Sequence, residues 1–240
     1  MPAVTSLRIG LSRWNGKLSN YAKRDGLLEL NSDELPAPAP LRKWRRQVPP
    51  AFAFSLLLPR LVAELQTGAA RDAALAGAIA AATALQASVL VLATPPSVRP
   101  TKANIERLAA LAAALPKEGH LVAWEPSGIW SPEEVEQVSA LFGWLAVVDA
   151  AEQEVPDGPI VYTRLRAIGK GNRLGPNRLQ RVAEQLAGRR EAYIVADQSV
   201  ATRLKSGLAA AIDRAGVDHP VPQLFKPSTS LDLDGLDEEQ

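Results

Sequence analysis

Short apolar runs alternate with longer helical stripes along almost the whole chain. Eight runs read as strands: Leu7–Leu11, Leu27–Asn31, Phe52–Leu57, Val89–Ala93, Leu121–Glu125, Trp144–Asp149, Ile160–Leu165 and Ala192–Asp197. Most are continuous Val/Leu/Ile stretches, as expected of strands buried on both faces. Between them, Ile105, Leu108, Leu111, Ala112 and Leu115 form a helical stripe after Thr101. Ser131-Pro132-Glu133-Glu134 is a helix start, with a capping Ser, Pro at the first helical position and Glu at the third. Leu179, Val182, Ala183 and Leu186 form another stripe, ended by Gly188, and Ala201–Ala215 is predicted as a last helix. The first three connections are short or Pro-rich (Pro36-Ala37-Pro38-Ala39-Pro40) and are expected to hold little helix. Strand–helix alternation predicts a parallel sheet, and eight such units predict a single (β/α)8, TIM-like barrel over residues 1–216. A Rossmann sheet lacks its main support, since no G-x-G-x-x-G follows the first strand.

A barrel gives each strand residue a direction: alternate positions point inward, and polar inward groups belong near the C-terminal ends of the strands. By that parity Glu29 and Asn31, Glu125, Asp149, Tyr162 and Arg164, and Asp197 converge at one end. Glu29 and Glu125 are the candidate general acid and base, and Arg164 would bind negative charge or pair with the carboxylates. Asn31, Asp149, Tyr162 and Asp197 would line the mouth. The competing interpretation is a set of strand-end caps and structural ion pairs. Gly169–Pro176 follows the seventh strand and carries Lys170 and Arg173, so it is a candidate anion-binding loop; the alternative is a solvated loop. The basic run Arg42–Arg46 is expected to be a solvated helix face with Trp44 turned to the core, and His120 is expected to be structural.

Composition narrows the chemistry. With 27 basic and 26 acidic residues the formal net charge is +1, so no global field draws in nucleic acid or a membrane surface. The absence of cysteine excludes disulfides and thiolate chemistry. Two histidines cannot build a multi-histidine metal centre, and no cofactor is evident; a hard cation such as Mg²⁺ would have to use Glu125, Asp149 and Asp197. The N-terminus has no signal-peptide pattern and the apolar stretches are broken by Thr83, Gln86 and Ser88, so a cytoplasmic protein is expected. Residues 217–240 end in Asp232, Asp234, Asp237, Glu238 and Glu239, a pattern expected of a flexible tail that could engage a protein partner. Within it, Gln223-Leu224-Phe225 is an incomplete match to peptides that dock on partners such as the replication clamp.

Several segments together resemble the DUF72 (YecE-like) family, from about Leu7 to Asp213. Leu7-Arg8-Ile9-Gly10-Leu11-Ser12-Arg13-Trp14 is similar to its opening "IRIGTSGW". Tyr21-Ala22 and Leu28-Glu29-Leu30-Asn31-Ser32 are similar to "YA…VEINSTFY". Leu41, Trp44, Val48-Pro49-Pro50, Phe52-Ala53-Phe54 and Pro59-Arg60 follow its Trp–Pro–FxF–Pro-Arg segment. Thr94-Pro95-Pro96-Ser97, Glu125 with Trp130, and Tyr162-Thr163-Arg164-Leu165 match "QLPPS", "EFRHPSW" and "YVRLHG". The resemblance implies a TIM-like barrel of unestablished biochemical function. Departures concentrate at the mouth. Leu57 stands for a Lys, Ala93 for a Gln and Arg166 for a His; the Arg after the fifth-strand Glu has no counterpart, and Val195-Ala196-Asp197 replaces "FNN".

Two functions compete. One is an enzyme for a small polar substrate, anionic or carbohydrate-like, with Glu29 and Glu125 in acid–base roles, Arg164 on negative charge and Trp14 as an apolar wall. The other is a barrel that has lost catalysis and serves as a binding or scaffold module. Glu29, Glu125 and Arg164 in mutual contact would favour the first, and an apolar plug the second.

Overall fold

Each of the eight apolar runs contributes a strand to one parallel sheet. The computed structural model describes residues 6–166, 175–196, 204 and 206–208, and the backbone of Gln223 and Leu224. The strands are β1 (Ser6–Leu11), β2 (Leu27–Asn31), β3 (Ala53–Leu57), β4 (Val89–Thr94), β5 (Leu121–Pro126), β6 (Leu145–Ala146), β7 (Ile160–Leu165) and β8 (Glu191–Ala196). Their order around the sheet is β6-β5-β4-β3-β2-β1-β8-β7, and a single parallel bridge between Val148 and Thr163 links the two ends into a nearly closed barrel. Thr163 reinforces that seam: its Oγ1 donates to the Val148 carbonyl at 2.6 Å and accepts from Ala150 N at 3.1 Å. The run Trp144–Asp149 pairs regularly only at Leu145–Ala146, so β6 is shorter than its apolar pattern predicts.

The helices are α1 (Leu18–Ala22), α2 (Pro38–Arg46), α3 (Arg60–Ala63), α4 (Ala69–Leu85), α5 (Lys102–Ala114), α6 (Pro132–Phe142) and α7 (Pro176–Leu186). The Thr101 and Ser131 start signals act as read. Thr101 Oγ1 accepts from Asn104 N, and Ser131 and Glu134 form a reciprocal capping box. The Pro-rich connection holds more helix than its composition suggests. Pro38 and Pro40 fall in the first turn of α2, where no backbone N–H is needed, and Leu41 fixes that helix by complete burial.

Strand residues divide between an inner and an outer core, which is why the runs are apolar throughout. Leu27, Ala53, Val89, Val91, Ala123, Val147, Tyr162, Tyr193 and Val195 fill the barrel interior. Leu28, Leu30, Phe54, Leu56, Leu90, Leu92 and Trp124 face the helices on one side, while Leu7, Ile9, Val161, Leu165 and Ile194 face α7 on the other. At the N-terminal end of the strands, Arg8 pairs with Glu191 at 3.0 Å and lies over the Tyr193 ring, whose hydroxyl donates to Glu191 at 2.7 Å. Gln223–Leu224 forms a short parallel strand, β9, against Ser6–Leu7 of β1. The remainder of the predicted tail, most of Ala201–Ala215 and the loop 167–174 lie outside the described residues. Among the described residues, no helix is long and apolar enough to cross a membrane.

Candidate active site

The two-residue period of β2, β5 and β7 aims Glu29, Glu125, Tyr162 and Arg164 at the barrel axis, and the four meet. Glu29 is completely buried, and its Oε2 accepts from the Tyr162 hydroxyl at 2.6 Å and from Arg164 Nη2 at 2.7 Å. Tyr162 is itself fully buried and shares its hydroxyl with Ser55 Oγ at 2.9 Å, while its ring stacks on Tyr193 at 6.2 Å. Arg164 Nε lies 2.8 Å from Glu125 Oε2, an ion-pair contact off the hydrogen-bonding angle. Arg166 then caps the other oxygen of Glu125 through its Nη2. The result is a chain of alternating groups, Ser55–Tyr162–Glu29–Arg164–Glu125–Arg166, running from the barrel interior out to solvent. Its two carboxylates and two guanidiniums balance in formal charge.

Depth sets the electrostatics. Burial pushes the Glu29 carboxyl above its ordinary range; the Arg164 guanidinium and the Tyr162 hydroxyl oppose that shift but do not cancel it. The second oxygen, Glu29 Oε1, is buried with no hydrogen-bond partner among the described residues. Burial also drives the Tyr162 hydroxyl well above its ordinary value, with the neighbouring Glu29 charge adding to it, so this group stays protonated as a donor. Removing that donor leaves a fully buried carboxylate oxygen with one partner and orphans Ser55 Oγ. We therefore expect Tyr162→Phe to cost about 1–3 kcal/mol in chemical denaturation. A loss within experimental error would show that the hydroxyl makes no net contribution.

The remaining predicted residues take other positions. Asn31 sits at the end of β2, where its Oδ1 accepts from Asp33 N at 3.1 Å and starts a 3-10 turn over Ser32–Glu34. Asp149 is half-buried; its oxygens accept from Arg166 N at 3.1 Å and Ala151 N at 3.0 Å, and burial raises its carboxyl despite those bonds. Trp14 meets Trp44 edge-on at 5.3 Å and packs with the outer core. Lys170, Arg173 and Asp197 lie outside the described residues. Among the described residues, no group of three or more His, Asp or Glu side chains is placed to hold a metal ion. His120 Nδ1 lies 2.6 Å from the Ala87 carbonyl, a structural contact. Within the basic run, Arg45 donates to the Phe52 carbonyl at 2.8 Å and lies over the Phe54 ring, while Trp44 packs against the core. Two members of the site were not among the predicted site residues: Ser55, and Arg166, which the sequence showed only as standing for a family His at the mouth. Ser55 carries a signal, since it shares the inward parity of Ala53 and Leu57. Arg166 lies one residue past β7, where parity no longer fixes direction.

A profile of the family described as "Protein of unknown function DUF72" matches residues 9–216. A DUF72 family protein of Enterococcus faecalis V583 superposes with a TM-score of 0.69 at 15% identity, over 86% of this chain and 95% of that one. A DUF72 family protein of Thermotoga maritima MSB8 gives 0.59 at 16% identity, over 88% and 98%. A D-tagatose 3-epimerase-like protein gives 0.61 at 13% identity, over 88% of this chain and all (100%) of that one. No curated protein matches the sequence.

Proposed function

This chain belongs to the DUF72 family, and from that premise we propose that its barrel is an enzyme acting on a small polar substrate, anionic or sugar-like, by carboxylate acid–base chemistry. The observation that carries the reading is the contact series Glu29–Arg164–Glu125, at 2.7 and 2.8 Å, at the strand ends where barrels of this kind build sites. Two carboxylates of different depth are a means of separating acid from base roles. In this reading Glu125, in contact with Arg164 at the edge of the barrel interior, exchanges a proton with substrate, and Arg164 faces the negative charge that develops. Glu29 is the deeper partner that holds Arg164. Similarity to the epimerase-like barrel and to a xylose isomerase domain protein of Salmonella typhimurium LT2 (TM-score 0.55, 13% identity, over 90% and 97%) lends a sugar-like substrate support by fold analogy alone. Leu57 and Ala93 at the same rim are the feature that favours the alternative of a catalytically degenerate binding barrel.

A metabolite library screened by thermal shift tests this. A ligand at a hundredfold excess over its dissociation constant adds about 2.7 kcal/mol to stability. Turnover of the compound found should fall about 10²- to 10⁴-fold in Glu125→Gln. A library without a stabilising compound would remove the enzyme reading in favour of the degenerate barrel, and full turnover in Glu125→Gln would remove the carboxylate acid–base chemistry.

A further inference from the structure

The two arginines on Glu125 are held very differently. Arg164 is wedged between Glu29 and Glu125, and its side chain is 19% exposed. Arg166 reaches Glu125 from the solvent side and its side chain is 66% exposed. Its backbone is pinned, however: Arg166 N donates to Asp149 Oδ2 at 3.1 Å, so the guanidinium swings from a fixed root. An ion pair with one well-exposed partner contributes little net stability, so exchanging one oxyanion for another on Arg166 is close to balanced. A guanidinium also presents a planar fork that suits carboxylate and phosphate equally.

We infer that Arg166 is a displaceable counter-ion: an oxyanion carried by the substrate takes its guanidinium from Glu125, which both anchors the substrate and opens Glu125 Oε1 at the mouth. The inference rests on the acid–base reading above and adds to it a ligand class and an order of events. In the resting site Oε1 is covered by Arg166 and Oε2 by Arg164. After the exchange, Oε1 is an acceptor with an open lone pair. A proton leaving the substrate passes to Oε1, its electron pair stays on the substrate, and Arg164 faces the charge so formed. A neutral substrate would leave Arg166 in place and Oε1 covered. Asp149 then acts as a positioning residue, through the backbone of Arg166 and not by contact with substrate.

Inorganic phosphate and acetate, titrated calorimetrically into the full chain, test the exchange without knowledge of the substrate. Binding of either supports the site, and a preference between them identifies the oxyanion that the substrate bears. Arg166→Gln should weaken binding about ten- to hundredfold, as expected for loss of a charge-assisted bidentate contact. Glu125→Gln should tighten it about five- to tenfold, because the guanidinium no longer has to be withdrawn from a carboxylate. Arg190→Gln, at the opposite end of the barrel, should change nothing, and equal melting temperatures for the variants would confirm that folding is not at issue. Opposite signs at positions 166 and 125 are the signature. Binding unchanged in Arg166→Gln, binding unchanged or weaker in Glu125→Gln, or no binding of either anion overturns the inference. Turnover of a neutral compound with no anion binding would overturn this inference alone, whereas full activity in Glu125→Gln with the signs obeyed would overturn the acid–base reading and leave the exchange standing.

Discussion

Arg164→Met should lower stability by about 3–5 kcal/mol at neutral pH, and Glu29→Gln in the same chain should return most of it. A methionine keeps much of the packing volume and removes the only cation in contact with Glu29 among the described residues. What remains is a completely buried carboxylate with one donor, the Tyr162 hydroxyl. Uncompensated charge in such a place is among the few single-site causes of losses this large. For a chain of this length the loss corresponds to a fall in melting temperature of roughly 6–20 °C. Glu125 suffers less, since it is nearer solvent and keeps Arg166.

The loss should also depend on pH, with a sign fixed by Glu29. Its carboxyl is raised in the folded state, by burial first. A carboxyl raised on folding binds a proton more tightly in the native than in the unfolded chain. It therefore supports stability in acid, and that support fades as pH rises through the raised value. Without Arg164 the carboxyl rises further, so the variant's deficit should shrink toward about pH 5 and widen toward about pH 8. In the Glu29→Gln background this pH dependence should flatten. A deficit equal at both pH values, or one untouched by Glu29→Gln, would mean that buried charge is not its cause.

The same inward parity explains which parts of the site sequence can show. Glu29, Glu125, Tyr162 and Arg164 stand at even steps from apolar residues of their own strands, so a two-residue period fixes their direction once a barrel is assumed. At Asn31 and Asp149 the residue type is equally legible and the use is not. A polar group at a strand end can face a ligand or cap its own loop, and both of these accept local backbone N–H groups. Trp14 depends on the placing of α2, a tertiary fact with no local signature, and Arg166 on a side-chain swing beyond the last strand residue. The helix through Pro38 and Pro40 shows the opposite failure. Composition argued against helix, but position within the first turn decided the matter. The strands were the most legible part because burial on both faces leaves no room for any other pattern.

Gly10→Ala should be at least as damaging as the loss of Arg164, for a reason that involves no charge. Gly10 pairs with Leu27 where β1 meets β2, and a Cβ built at Gly10 would stand 1.7 Å from the Leu27 carbonyl oxygen and 2.4 Å from its carbon. The clash is with backbone, so no rotamer relieves it. Nor is β2 free to retreat. The buried Tyr21 hydroxyl donates to that same Leu27 carbonyl at 2.7 Å and accepts from Leu11 N at 2.9 Å, drawing the two strands together. Displacing β2 by the width of a methyl group breaks that bridge and the Gly10–Leu27 register, two residues before Glu29. Overpacking against side chains costs about 1–3 kcal/mol, and a fixed backbone partner places this variant at or above the upper end. Gly10 also lies in the opening segment that matches the family, which gives that glycine a physical reason: closeness of two strands, not an unusual backbone angle. Gly77→Ala is the informative control, because that glycine lies inside α4 with nothing within 4 Å of an added Cβ. There the same change should stabilise by about 0.5–1 kcal/mol through helix propensity. Urea denaturation of the two variants should therefore move the midpoint in opposite directions. A Gly10→Ala protein with the wild-type midpoint would mean that β1 and β2 do not approach this closely, and that Glu29 is not held at the depth from which its chemistry follows.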